Sequence, residues 1–273
     1  MNRLLLMSMV IMLMAGWVSV SAQNALQISA GPSWLARQDL LFSPLIAKDL
    51  GVPAIQIEYE RTGKWIHQAS VDYRGFAIPP VKNFQFWRRD TSEPLQTLPH
   101  YFTFIDLGYG LGKKVAENER NAFSLGASLS SQIDALNYNY GGSGAFGYFA
   151  SFSLETWAEG RWQVAKRHSI NARLQLPLLS WIARSPYLLN DDTFIENTAS
   201  HNGLKTFLAF IGDGHLHTWN RFQKAAWSIE HQIALSGHWA LGWAYRGELF
   251  RHTRPLAVTS LQQDIALIIQ FKF

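Results

Sequence analysis

The chain contains no cysteine, which removes both a disulfide framework and a lipid-carrying N-terminal cysteine from consideration. Charge is also scarce: Asp, Glu, Lys and Arg make up 16% of the residues. The formal net charge of +4 is too small to argue for nucleic acid, whose binders carry clustered basic faces. After the first two dozen residues, no segment approaches the ~20 uninterrupted apolar residues that a spanning helix requires. Nor is there a fixed repeat of the ~20 to 50 residue kind that marks solenoids and propellers.

Against these absences stand an export signal and a wealth of aromatics. Met1-Asn2-Arg3 is a short basic start, Leu4 to Met14 is apolar except for Ser8, and Val20-Ser21-Ala22 has the small residues of a cleavage site. This reads as a cleaved secretory signal over residues 1–22, leaving a single domain over 23–273. Removing Arg3 with it lowers the formal charge to +3. Aromatic residues make up 14% of the chain, a greasy composition for a secreted soluble protein.

The strongest signal is alternation. In the last stretch, Leu261, Gln263, Ile265, Leu267, Ile269, Phe271 and Phe273 share one face, and Gln262, Asp264, Ala266, Gln270 and Lys272 share the other. Strand side chains alternate with period two, so this is a strand with one apolar and one polar side. Similar strands are expected near Leu26–Trp34, Val52–Arg61, Trp65–Phe76, Tyr101–Gly112, Phe123–Ser130, Phe146–Trp157, His168–Leu178, Gln223–Leu235 and His238–Arg251. Leu204–Ile211 is expected as a further strand, and a short one near His215–Trp219 is needed to keep the count even. The class is therefore all-β. Lipid admits only helices and closed barrels, so export, aromatics and alternation point to an antiparallel transmembrane β-barrel. At about 20 residues per strand with its connection, it has about 12 strands, with 10 as the alternative.

Links such as Thr62-Gly63-Lys64, Lys166-Arg167 and Ser236-Gly237 are tight, and belong on the periplasmic side. Arg37–Gly51, Ile78–Pro99 and Ser180–Gly203 are expected as outer loops, the last being the largest. The inner faces of two central strands are small: Gly108, Gly110 and Gly112 on one, Ser124, Gly126, Ser128 and Ser130 on the next. They either leave a gap in the lumen or make room for large residues opposite.

A signal peptide, alternating short and long links, aromatic stripes such as Trp239, Trp243 and Tyr245, and a terminal Phe273 on an amphipathic strand resemble bacterial outer-membrane β-barrel proteins. The resemblance implies residence in the outer membrane among its lipid and lipopolysaccharide. It also implies recognition of the C-terminal strand, ending in Phe273, by the barrel-assembly machinery. It is a likeness of class and names no activity.

Candidate functional residues follow from the inward face. Glu58, Glu60, Asp72, Arg74, Asp106, Glu155, Arg173, Glu230, Arg246, Glu248, Asp264 and Lys272 are expected to line the lumen, eight acidic against four basic. They make either a salt-bridged plug or a narrow polar pathway that mildly prefers cations. The leading expectation is a narrow channel or binding pore for small polar solutes, and the alternative is a non-conducting structural or partner-binding barrel. A lipid hydrolase is a third reading, but it needs a His-x-Ser pair and the sequence has none. His67 and His231 face lipid, and either would need a serine from a neighbouring strand. His215 and His217, with Asp213, resemble a metal site only weakly, so no metal or cofactor is expected. Lys82, Trp87, Arg88 and Arg89 in the second outer loop suit anionic headgroups or glycans.

Overall fold

The computed structural model describes residues 23–80, 85–87, 93–140, 143–185, 208–209 and 211–273. Among the described residues, thirteen strands run in chain order: β1 (Gln23–Asp39), β2 (Ser43–Thr62), β3 (Ile66–Ile78), β4 (Gln85–Phe86), β5 (Leu95–Gln96), β6 (His100–Glu117), β7 (Asn121–Tyr140), β8 (Ser143–Ala165), β9 (His168–Arg184), β10 (His215–His217), β11 (Phe222–Ala234), β12 (Trp239–His252) and β13 (Val258–Lys272). Ten of them close a barrel in the order β1-β2-β3-β6-β7-β8-β9-β11-β12-β13, with β13 returning to pair antiparallel with β1. Reciprocal backbone bonds between Asn24 and Phe273, at 3.1 and 2.9 Å, tie the two ends of the seam.

The wall has ten strands, not twelve. The described part of the expected strand Leu204–Ile211 is helical at 208–209 and 211, and β10 pairs only with β9, above the end of β11. The expected first outer loop is also largely strand: β1 runs on to Asp39 and β2 starts at Ser43. Residues 180–184 of the expected largest loop extend β9, and 186–203 lie outside the described residues. The expected signal segment, residues 1–22, lies outside them as well.

The surface is inverted relative to a soluble fold. Leu267, Ile265 and Ile28 are 75%, 60% and 48% exposed, whereas Asp134 and Glu155 are 0% and 1% exposed. An exposed apolar band round a closed barrel is a lipid-facing surface. Outward Trp65, Trp162, Trp239 and Phe273 gather at the end of the short turns, and Tyr73, Tyr101 and Trp181 toward the other, as interfacial aromatics do. The turns at 63–65, 118–120, 166–167 and 235–238, none longer than four residues, share the end where β1 begins and β13 stops, whereas the turn 40–42 lies with the long connections. The long connections, 79–99 and 185–221, leave from the opposite end. That polarity makes the short-turn end periplasmic and the other end external.

Two seams in the wall are short. β2 and β3 pair over eight positions, from Thr62–Ile66 to Ile55–Tyr73, and β9 and β11 over eight, from Ile233–His168 to Ala226–Gln175. The central hairpin β7–β8, by contrast, pairs twenty. The seams lie opposite one another, so the outer half of the wall is two five-stranded sheets, β3-β6-β7-β8-β9 and β11-β12-β13-β1-β2. Side chains join them across the interior. Leu35 of β1 packs with Phe76, Phe102, Phe104 and Leu136, and Phe149 and Ile182 pack with Phe222, Phe250 and Val258.

Candidate functional site in the barrel lumen

The inward positions of each strand change character along the barrel. From the periplasmic end they are polar; toward the external end they turn apolar, at Leu35, Phe76, Phe104, Leu136, Phe149, Phe222, Phe250 and Val258. These residues form a cap. Arg37 lies within it, its guanidinium 5.6–5.9 Å from the ring centres of Phe104, Phe149 and Phe250, and donates to Asp134 at 2.6 Å. Arg184 reaches Asp39 beside it and donates to the carbonyls of Arg254 and Leu256 at 3.0 and 2.5 Å. The cap is thus an apolar plug around two buried ion pairs.

Beneath it is a cavity of about 530 Å³ that extends to the periplasmic turn at 118–121 and to Lys272. All twelve residues expected to face the lumen border this cavity. Most are tied to one another. Arg74 bridges Asp106 at 2.5 Å and Asp264 at 2.9 Å, with Asp72 at 3.8 Å. Arg246 meets Glu230 at 3.2 Å and donates to Ser29 at 2.8 Å, while Gln27 donates to Glu230 at 3.2 Å. Arg173 lies 3.5 Å from Glu159 and hydrogen bonds to Gln68, and Glu155 accepts from Gln175. The side chains of Glu58 and Lys272 make neither a hydrogen bond nor an ion pair with the described residues, and both residues border the cavity.

Sequence reasoning missed several members of the network. Lys224 lies 3.1 Å from Glu248 and 3.5 Å from Glu155, and its place two positions before Ala226 on the inner face of β11 was legible. Glu159 and Arg161, paired at 2.7 Å, belong to a part of β8 beyond the expected end at Trp157, and Arg161 also bridges to Glu60. Arg37, Asp39 and Arg184 sit in strand extensions within stretches expected as outer loops, and Asp134 lies past the expected strand end at Ser130.

The small inner faces accommodate a large residue. Gly112 lies opposite Gly126, which lies opposite Trp157, and the indole fills the space where their side chains would be. Trp157 is 1% exposed, donates to the Ala127 carbonyl at 3.2 Å, and carries the Arg173 guanidinium 4.4 Å from its ring centre.

The other candidates separate. His67 Nδ1 lies 2.9 Å from the Tyr109 hydroxyl, and His231 Nε2 lies 3.1 Å from His168 Nδ1, so each imidazole has a partner that is not a serine. His215 is exposed, whereas His217 is buried with its ring centre 4.9 Å from that of His252, so the His215–His217 pair does not converge. Of the outer-loop candidates, Trp87 is 70% exposed; Lys82, Arg88 and Arg89 lie outside the described residues.

A closed antiparallel barrel with an apolar belt, interfacial aromatics and a polar lumen defines a bacterial outer-membrane β-barrel protein. No family model and no curated protein matches the chain. Among solved structures it is similar to the outer membrane protease OmpT from Escherichia coli, at 6% identity and a TM-score of 0.48, covering 94% of this chain and 99% of that one. It is also similar to Neisserial surface protein A, at 11% identity and a TM-score of 0.37, over 93% and 100% of the two chains. The Pseudomonas putida toluene transporter TodX follows, at 8% and 0.35, over 93% and 90%.

Proposed function

We propose that the protein binds a small polar solute in its lumen, taken up from the periplasmic end, and does not act as an open diffusion pore. The observation that carries this reading is the one-sided cavity: polar side chains border about 530 Å³ that reaches the periplasmic turns, beneath an apolar cap at the external end. A water-filled pore needs a continuous polar path, and dewetted apolar constrictions block ions. The ion-pair network also supports the second reading, a structural barrel whose lumen charges serve only packing. The lipid-hydrolase reading draws no support from His67 or His231, since each is engaged by Tyr109 or His168.

The test is conductance of the refolded protein in planar bilayers, with folding verified by heat-modifiable gel mobility. The wild type is expected to give no steady current. A variant carrying Phe102→Ser and Phe250→Ser, which opens the cap, is expected to conduct. Steady wild-type current would replace binding by conduction.

A further inference from the structure

The charges around the cavity are not evenly distributed along the barrel. Near the periplasmic end, Glu58, Glu60, Glu159 and Glu230 are matched one for one by Arg161, Arg173, Arg246 and Lys272. The layer beneath the cap is different. Arg74, Asp106, Lys224 and Glu248 are the last inward positions before Phe76, Phe104, Phe222 and Phe250, and Asp72, Glu155 and Asp264 lie beside them. That layer holds five carboxylates against two cations, an excess of three negative charges in the most enclosed part of the lumen.

The protein's own donors do not satisfy it. Arg74 is shared among Asp72, Asp106 and Asp264, and Lys224 between Glu155 and Glu248. Two oxygens of the layer, Asp106 Oδ1 and Gln132 Oε1, remain buried without a hydrogen bond, and Glu155 Oε1 faces only the Lys224 ammonium, at 3.5 Å. Gln132 is 2% exposed and Glu155 1%. A buried acceptor without a donor has lost its hydration with nothing in return, and the loss is greater when it is charged. Such a concentration of acceptors therefore calls for a donor from outside the chain.

We infer that this layer is the seat of a small organic cation, an alkylammonium or polyamine. It enters from the periplasmic end and lays its N–H groups against Asp106, Gln132, Glu155 and Glu248. The cavity, at about 530 Å³, is far larger than a bare ion and falls within the ~300–1,000 Å³ range of small-molecule sites. Its balanced mouth admits the chain of such a molecule without adding to the charge. This inference rests on the proposed binding role of the lumen and names its ligand class.

The experiment is isothermal titration of spermidine, glucose, glutarate and magnesium chloride, each into the folded protein in detergent micelles at matched ionic strength. Spermidine is expected to bind. Affinity is expected to fall at least tenfold in the Asp106→Asn/Glu248→Gln double variant and less than threefold in the rim variant Glu58→Gln, with β-sheet circular dichroism confirming folding of each. Binding that the deep variant leaves unchanged would overturn the seat. Full displacement of spermidine by magnesium at equal concentration would overturn the organic class in favour of an inorganic cation. Binding of glucose or glutarate without spermidine would overturn the cation class and leave lumen binding standing. Binding of no probe would overturn both.

Discussion

At the scale of single residues, the barrel interior is organised by a few large side chains that need small neighbours. Trp157 occupies the ground left open by Gly112 and Gly126. Gly126→Val pushes a branched side chain into the indole, and overpacking of this kind costs about 1–3 kcal/mol. We expect the urea midpoint of the folded protein in micelles to fall accordingly, with little change for a lipid-facing Ile265→Val. Arg37 is the second such residue. Its pair with Asp134 is 2.6 Å long and both partners are at most 1% exposed. Removing one partner strands the other in an apolar cap, a loss of about 3–5 kcal/mol. Arg37→Met is therefore expected to destabilise strongly, and Arg37→Met with Asp134→Leu to recover most of the loss. Unfolding followed by tryptophan fluorescence measures both.

At the scale of strands, the two eight-pair seams divide the wall into a firm periplasmic half and an external half held partly by side chains. Backbone bonds that open independently of the whole exchange their amide hydrogens faster. Amides of β2 between residues 44 and 54 that point toward β3, and those of β9 between 176 and 179 that point toward β11, are expected to exchange ahead of the β7–β8 hairpin, with its twenty paired positions. Hydrogen exchange resolved by mass spectrometry reads this directly. Equal protection along all strands would show the seams to be as tight as the rest. The same scale explains where strand ends were misjudged. Apolar alternation exists only where the outward face meets lipid. Past the hydrocarbon slab, the outward face takes up polar residues, as at Lys48, and the inward face becomes apolar, as at Phe102 and Phe104. The period persists there, but its polarity reverses. Arg37, Asp39, Asp134 and Arg184 were lost with those extensions.

At the scale of the whole molecule, alternation and aromatic girdles written in the order of residues determined that this protein is an outer-membrane β-barrel, because lipid permits no other arrangement of amphipathic strands. They also determined which side chains point inward: the twelve candidates, from Glu58 to Lys272, all border one cavity, since parity within a strand is a local property. The tertiary structure alone decided the rest. The number of wall strands depended on whether β10 reached across to β11, and pairing partners are not visible along one strand. The partners of each charge, the apolar cap that closes one end, and the surplus of carboxylates beneath it arise from strands far apart in the chain. Closure of the sheet brings Arg74 to Asp264 and Arg37 to Asp134. Electrostatic balance is a property of that enclosed volume, and a volume exists only once the barrel has closed.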